Sequence, residues 1–288
     1  MASVDYKELK KGGFMKQVQK DMFSLRLRVA GGYLDAQKLK KVYEIAEKYG
    51  KGYVHMTARQ SIEIPFIKLS DVEEVKKELS SVGLQPGACG PRVRTVTACQ
   101  GCTVCPSGLI DTAALAKDFD SKYYARELPH KFKFGITGCK NNCLKAEEND
   151  VGIKGGMKPS WVEDKCIYCG LCEAVCPTKA IKVNKKERTL EFNENDCVYC
   201  GKCVKVCPTE AWEGESGFIL YFGGLFGNNI QTGKQLVPII FSTQKLHKAV
   251  EVTMDFYKRY GKQGERFGHT LNRVGWEVLK KELEEVLK

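Results

Sequence analysis

The sequence predicts an α+β fold into which a small cysteine-rich module is inserted. Residues 1–83 carry strand and helix patterns that make one α+β unit, and residues 84–160 continue with strand, helix and strand. Eight of the 14 cysteines then fall within residues 161–212, and strand and helix patterns resume after residue 213. The cysteine-rich segment therefore interrupts a second unit of the fold.

Composition limits the class of protein. The chain has 288 residues, 43% of them apolar, which is enough for a core and excludes a disordered chain. The longest apolar run, residues 217–227, is much shorter than the roughly 20 residues that a membrane span needs. The first residues, MASVDYKELKKGG, contain no apolar segment of a secretory signal. We therefore expect a soluble, cytoplasmic protein.

Charge and cysteine content narrow the class further. The net charge of +11 is spread along the chain without a long basic run or a nucleic-acid motif, so a nucleic-acid partner is not expected. Fourteen cysteines in a reducing compartment indicate metal or redox chemistry rather than disulfides.

The elements of residues 1–83 follow from local patterns. Residues 22–29 alternate like a strand, and residues 53–56 and 61–67 also predict strands. Between them Asp35 caps a helix that ends at Gly50. Its predicted apolar face consists of Leu39, Val42, Tyr43, Ala46 and Tyr49. A capping box, Ser70-Asp71-Val72-Glu73, begins a second helix that ends at Gly83.

The rest of the chain divides into three segments. Residues 84–160 predict a strand over 92–97, a helix over 111–128 and a strand over 132–137, with a cysteine motif in the loop after each strand. Residues 161–212 form the inserted module. Residues 213–288 return to the interrupted unit with two strands and two helices, the helices lying around 242–260 and 271–287.

The cysteines of the module form two copies of one motif. Each copy has the spacing C-x2-C-x2-C-x3-C-P, which is the run of bacterial ferredoxins that hold two [4Fe–4S] clusters. In that arrangement three cysteines of one run and the fourth of the other bind each cluster. The predicted quartets are Cys166, Cys169, Cys172 and Cys207, and Cys176, Cys197, Cys200 and Cys203. A zinc site needs only four ligands and does not account for the interleaved octet.

The six remaining cysteines include a second, less familiar pattern. Cys99-x5-Cys105 is followed 34 positions later by Cys139-x3-Cys143, and this spacing alone indicates only a third metal site. Cys102 lies inside the first pair and is an alternative to Cys99 as a ligand. Cys89 is most simply a small buried apolar residue.

The segments around these cysteines resemble the siroheme-dependent sulfite and nitrite reductase family. TACQGCTVC and HKFKFGITGCKNNC resemble the signature of its siroheme-linked [4Fe–4S] cluster. SLRLRVAGG, TARQSIEI, PRVRTVTAC, GFILYFGGLFG and GERFGHT resemble other elements of the family in the same order. The resemblance implies a sulfite reductase hemoprotein-like fold. Residues 1–83 are then its ferredoxin-like half-domain, and residues 84–160 and 213–288 its siroheme domain, interrupted by a ferredoxin domain.

The resemblance also implies the cofactors and their ligands. One siroheme and three [4Fe–4S] clusters are expected, and the siroheme-coupled cluster is assigned to Cys99, Cys105, Cys139 and Cys143. Cys143 is expected to bridge that cluster to the siroheme iron, and Asn142 to contact the cofactor. One departure is Lys140, which stands where the family often has proline.

Basic residues complete the implied site. Between Cys89 and Lys145 there are nine Lys or Arg residues against four Asp or Glu, which suits a polycarboxylate macrocycle and an oxyanion. By resemblance the oxyanion shell consists of Arg26, Arg94, Lys131 and Lys133. Arg28, Arg59 and Arg92 are expected to pair with siroheme carboxylates. Nitrite reductases of the family often have asparagine at the position of Lys133, so this lysine favours sulfite.

These features imply a sulfite reductase that reduces sulfite to sulfide with six electrons. A low-potential donor protein is expected to supply the electrons through the ferredoxin-type clusters. Nitrite as substrate, another small sulfur or nitrogen oxyanion, and a non-catalytic electron-transfer subunit remain alternatives. Because each half of the family's doubled architecture occurs once here, a homodimer or a heteromer with a related subunit is expected.

Overall fold

The computed structural model describes residues 5–288 and has the predicted α+β fold. The first unit is a four-stranded antiparallel sheet of order β1-β2-β4-β3 with helices packed on it. Its elements are α1 (Tyr6–Lys11), β1 (Phe14–Lys16), β2 (Met22–Arg26), α2 (Ala36–Tyr49), β3 (His55–Met56), β4 (Ile62–Lys68) and α3 (Val72–Ser80). Buried Phe23, Leu25 and Ile64 form the centre of its core.

The two helices of this unit differ in detail from their predicted form. In α2 the buried residues are Val42, Ile45 and Ala46, whereas Leu39 and Tyr43 are exposed, so the apolar face is narrower than the periodicity predicts. The capping box at the start of α3 is absent. A 3-10 turn over Leu69–Asp71 runs directly into the helix, and the Ser70 hydroxyl donates to the Asp71 side chain instead of capping.

The second unit is a mixed four-stranded sheet of order β10-β7-β6-β5. Its strands and helices, with those of the inserted segment, are β5 (Thr97–Ala98), α4 (Thr112–Tyr123), β6 (Phe134–Thr137), β7 (Val151–Trp161), α5 (Leu171–Val175), β8 (Ile181–Asn184), β9 (Thr189–Phe192), α6 (Lys202–Val206), β10 (Trp212–Phe222), α7 (Thr243–Tyr260), α8 (Phe267–Val274) and α9 (Trp276–Leu287). Strands β5, β6 and β7 are parallel, and β7 pairs antiparallel with β10.

Four features of this unit depart from the prediction. The strand expected over 92–97 is reduced to β5, preceded by two isolated bridges, of Arg92 with Glu127 and of Val93 with Phe132. Helix α4 ends at Tyr123 rather than near residue 128. The last predicted helix is divided in two at Gly275, whose φ of 108° ends α8, and β10 is the one strand that the described part of residues 213–288 contains.

The inserted segment connects the last residue of β7 to the first residue of β10. These strands pair over their full length, from Val151 opposite Phe222 to Trp161 opposite Trp212. The two short helices and the hairpin β8–β9 lie between these ends and have a small core of their own around Trp212 and Ile181. Within residues 5–288 no helix is both long enough and apolar enough to span a bilayer.

Candidate redox and oxyanion sites

Two cavities in the inserted segment are each lined by four cysteines. One is lined by Cys166, Cys169, Cys172 and Cys207, and the other by Cys176, Cys197, Cys200 and Cys203. This division is the one that the interleaved spacing predicts. The remaining lining is mainly apolar, with Val183, Leu190 and Trp212 in the first cavity and Ile181 and Phe192 in the second.

The backbone surrounds both cavities in the same way. The amide of Tyr168 donates to the Cys166 sulfur at 3.4 Å, and that of Tyr199 donates to the Cys197 sulfur at 3.4 Å. Amide donors also reach the fourth cysteine of each run, at 3.3 Å for Cys176 and 3.2 Å for Cys207. N–H donors to cluster thiolates are one of the means by which proteins tune iron–sulfur potentials.

This donor set fits two [4Fe–4S] clusters. Burial raises the pKa of the Cys203 thiol to about 12, so a thiolate there requires a bound cation. Four converging sulfurs in an apolar, amide-lined cavity provide what an iron–sulfur cluster needs.

A third cysteine set lies at the ends of β5 and β6. Cys99 follows β5, and its sulfur accepts a hydrogen bond from the Gly138 amide at 3.0 Å, next to Cys139 after β6. Burial raises the pKa of Cys139, and the nearby thiolates of Cys99, Cys105 and Cys143 raise it further. Cys102 is exposed. The structure thus brings together the four cysteines that the family resemblance implies.

Strand β7 supports this third set by close backbone contact. A Cβ atom at Gly155 would overlap the carbonyl oxygen of Gly138, so only glycine allows β7 to approach the loop of Cys139. Asn142, in the same loop, donates to Glu147, which also pairs with the buried Lys154 of β7. Asn142 therefore fixes the loop, and its expected contact with siroheme stays a prediction.

A cavity of about 340 Å³ lies at the opposite ends of β5 and β6. It is lined by five cationic side chains, which are Arg26, Arg59, Arg94, Lys131 and Lys133. All four residues of the predicted oxyanion shell are among them. Thr95, which precedes β5, also lines it, whereas Cys99 and Cys139 follow the two strands. Within one chain the basic cavity and the third cysteine set are therefore separated by the length of the strands.

Few acidic groups balance these cations. Arg26 pairs with Glu63. Arg59 donates to the Asn149 side chain at 3.1 Å and to the Thr95 carbonyl at 3.0 Å, which are both neutral acceptors. Arg94 donates to the carbonyls of Ala88 and Gly90, and its Nε is buried with no protein partner.

Lysine ionisation reflects this surplus of positive charge. Burial lowers the pKa of Lys133 to about 8, and the guanidinium groups of Arg59 and Arg266 act in the same direction. The pKa of Lys131 is also lowered, by burial and then by Arg266 and Arg94. The cavity is therefore suited to an anion, which would restore the charge of both lysines.

A buried ion pair beneath the cavity was not predicted from the sequence. Asp150 is fully buried and accepts from Arg266 at 2.9 Å and from the Lys133 backbone amide at 2.9 Å. For Arg266 the one available signal was its position in GERFGHT, a segment that resembles the family. Nothing in the local sequence indicates that Asp150 is buried or paired.

Two of the predicted siroheme contacts lie elsewhere. Arg28 is engaged with Asp120 at 2.7 Å and stacks on the Tyr124 ring, and Arg92 lines a separate depression near Glu127. Neither side chain lines the basic cavity, so the structure offers no support for a role of Arg28 or Arg92 in cofactor binding.

Comparison with known proteins identifies the class. The model of the "Nitrite and sulphite reductase 4Fe-4S domain" matches residues 89–288, and that of the "Nitrite/Sulfite reductase ferredoxin-like half domain" matches residues 15–82. The chain belongs to the nitrite and sulfite reductase family, whose members are oxidoreductases. Membership implies siroheme and iron–sulfur clusters as cofactors, and the residues described above fit both.

Individual relatives support the same assignment. The chain is 35% identical to the coenzyme F420-dependent sulfite reductase of Methanocaldococcus jannaschii over 96% of its own length and 44% of that protein's. It thus spans less than half of that relative. It is 32% identical to an uncharacterised protein of the same organism, over 97% of this chain and 96% of that one. The crystal structure of a dissimilatory sulfite reductase has the same fold, with a TM-score of 0.73 and 21% identity over 91% of this chain and 69% of that one.

Proposed function

We propose that the protein is a siroheme-dependent sulfite reductase that reduces sulfite to sulfide. The observation that carries the proposal is the cavity in which five cationic side chains converge with one carboxylate partner, Glu63, among them. Such a surplus is costly in a partly buried site unless an anion is bound. Siroheme carboxylates and sulfite are anions of the right kind, and family membership suggests both.

Each basic residue has a distinct part in this proposal. Arg26 and Arg94 hold the oxyanion through charge-assisted hydrogen bonds. Lys131 and Lys133 neutralise the remaining charge and deliver protons from their ammonium groups, which the bound anion keeps charged. Arg59 is held between the Thr95 carbonyl and Asn149 and serves a cofactor carboxylate.

The cysteines have the complementary part. Cys99, Cys105, Cys139 and Cys143 would hold a [4Fe–4S] cluster, with Cys143 as the ligand that it would share with siroheme. When bound, siroheme and this cluster would relay electrons and provide the iron coordination position for sulfite. The two quartets of the inserted segment hold the clusters that accept electrons from a low-potential donor protein. We expect the reaction to take place in the cytoplasm.

Anaerobically purified protein provides the test. With reduced methyl viologen as the electron source, we expect sulfite to be consumed and sulfide to form, with siroheme absorption bands and about thirteen iron atoms per chain. Faster turnover of nitrite than of sulfite would identify a nitrite reductase. About eight iron atoms without extractable siroheme would identify an electron-transfer subunit and contradict the proposal.

We further propose that the active site is shared between two chains. Because the basic cavity and the Cys139 set lie at opposite ends of β5 and β6, one chain separates them by roughly 15–20 Å. A two-fold assembly brings the cavity of one protomer to the cysteines of its partner.

Complementation of two inactive variants tests the shared site. Lys133→Ala and Cys143→Ser proteins are mixed under conditions that allow subunit exchange. A shared site predicts partial recovery of sulfite reduction, since a mixed dimer keeps one undamaged site. No recovery despite exchange, or full activity of a monomer, would rule it out.

A further inference from the structure

The two cysteine loops of the inserted segment are alike in geometry but not in surroundings. The second loop, residues 197–203, packs on the second unit: the Met157 amide of β7 donates to the Tyr199 carbonyl at 2.8 Å. Lys205, one turn of α6 further on, donates to the carbonyl of Pro106 at 2.7 Å. Pro106 directly follows Cys105, so the helix after the second loop contacts the residue next to the third cysteine set.

Strand β7 makes the same connection from the other side. Gly155 packs against Gly138, beside Cys139, and Met157 lies only two residues, or about 7 Å, further along the strand. A Cβ atom at Gly201 would collide with the Met157 side chain. The second loop therefore faces the second unit and lies near the third cysteine set.

The first loop, residues 166–172, is turned outward. Its cavity borders Trp212, which pairs with Trp161 at the far end of β7, about 20 Å from Gly155. Ile167 is 58% exposed and Leu171 43% exposed. Val198, the counterpart of Ile167 in the second copy, is only partly exposed. Two large apolar side chains thus face solvent directly over a set of redox-metal ligands.

Two basic residues of the β8–β9 turn contact the residues next to this apolar pair. Lys185 lies against Gly170, and the Arg188 guanidinium stands 5.3 Å from the centre of the Tyr168 ring. Both are exposed, and within residues 5–288 neither forms an ion pair. The acidic neighbours are Glu163, which accepts from the Tyr168 hydroxyl, Glu173, which accepts from the Val183 amide, and Glu187, which accepts from Asn184.

The geometry points to the surface of Ile167, Leu171, Lys185 and Arg188, which we call the outer face, as the docking site for a protein electron carrier with an acidic surface. This inference rests on the proposed function, because a cluster held by the first quartet needs electrons from outside the chain. An apolar centre with a charged rim is typical of transient interfaces, and the rim selects a partner of opposite charge. In each encounter the carrier loses one electron and the group held by the first quartet gains it, and no bond is formed.

Charge reversal at the rim tests the outer face. The probe is a reduced, acidic [4Fe–4S] ferredoxin, and the measurement is its second-order oxidation rate by the holoenzyme in stopped flow. For the double variant Lys185→Glu/Arg188→Glu we expect a rate lower by about tenfold or more at low ionic strength, because electrostatic steering is lost. The difference should shrink as salt is added.

A matched control separates this effect from general damage. Lys40→Glu reverses an exposed charge on α2, in the first unit, and should leave the rate nearly unchanged. Iron content and the electron paramagnetic resonance spectrum should be those of the unmodified protein in all variants. An unchanged rate in the double variant, or an equal loss in Lys40→Glu, would overturn the outer face as the docking site.

A third measurement distinguishes failure of this inference from failure of the proposed function. Sulfite reduction driven by methyl viologen bypasses docking and should be the same in the double variant and the unmodified protein. If viologen-driven sulfite reduction is absent from the unmodified protein, the proposed function itself is wrong.

Discussion

The cysteine cavities of the inserted segment and the basic cavity are built in opposite ways. Each cysteine cavity takes its ligands from two short runs and closes them with apolar side chains. The basic cavity gathers Arg26, Arg59, Arg94 and Lys133 from four distant segments and leaves their charges largely uncompensated. Substitution of one cysteine should therefore prevent binding of the whole cluster, whereas substitution of one cationic residue should only weaken anion binding in the basic cavity.

The largest expected effect is at the third cysteine set. Cys143→Ser should abolish sulfite reduction and the spectroscopic coupling of siroheme to its cluster, while the iron of the inserted segment, about eight atoms, is retained. Iron analysis and electron paramagnetic resonance measure this. Cys102→Ser is the control and should change little, since the Gly138 amide beside Cys139 donates to the Cys99 sulfur and the thiolates that act on Cys139 are those of Cys99, Cys105 and Cys143. Loss of the cluster in Cys102→Ser but not in Cys99→Ser would reverse the ligand assignment.

The ion pair beneath the basic cavity should come next. Breaking a buried pair on one side costs about 3–5 kcal/mol, so Asp150→Asn should lower the free energy of unfolding by about that amount. The half-buried pair of Arg126 and Glu251 offers a control, and Glu251→Gln should cost about 1 kcal/mol or less. Anaerobic urea titration compares them. Equal losses of unfolding free energy in the two variants would mean that the pair of Asp150 and Arg266 stabilises the fold no more than the pair of Arg126 and Glu251.

A single cation of the cavity should matter less. A hydrogen bond to a charged group contributes about 1.5–3 kcal/mol, so Lys133→Ala should slow sulfite reduction by about 10- to 150-fold with the siroheme spectrum retained. Arg94→Ala should behave alike. The exposed Lys40 on α2 provides the control variant, Lys40→Ala. Unchanged sulfite reduction in both Lys133→Ala and Arg94→Ala would show that the oxyanion binds elsewhere.

The smallest expected effect is a dependence of stability on pH. Burial, with the nearby Arg59 and Arg266, lowers the pKa of Lys133 to about 8 in the folded, anion-free protein, against about 10.4 in the unfolded chain. Between these values the unfolded chain binds more protons, so the free energy of unfolding should rise with pH.

Substitution of the lysine isolates its share of this slope. Lys133→Met should flatten the rise in unfolding free energy between about pH 8 and 10, as measured by urea titration at several pH values. Bound sulfite should also flatten it, because an anion holds the lysine charged. An identical slope in Lys133→Met would place the titration in other groups.

How well each site could be predicted from the sequence depends on how far apart its residues lie along the chain. The predicted α+β fold and family are confirmed. The grouping of the eight cysteines of the inserted segment into two quartets could be predicted from their spacing alone, because ligands three residues apart share one loop. The choice between Cys99 and Cys102 remained open in the sequence. It depends on the amide of Gly138, almost forty residues away, which only the parallel pairing of β5 and β6 brings to the Cys99 sulfur.

Charged residues were harder to assign for a related reason. Arg26 and Arg28 share one strand pattern, yet Arg26 lines the cavity and Arg28 pairs with Asp120 on α4. Where a long side chain goes is decided by the acidic partner it meets across the fold, and no local pattern records that partner. Asp150 is the extreme case, since it is fully buried and its partner Arg266 follows more than a hundred residues later.

The interleaving of the two quartets has a consequence for biosynthesis. Cys207 completes the first quartet and is the last of the eight cysteines to leave the ribosome, whereas Cys176 must be kept for the second. Neither cluster can reach its full set of ligands until almost the whole inserted segment has been translated. Metal uptake and folding are coupled in such sites, so we expect the segment to mature in one late step, after the first α+β unit has left the exit tunnel.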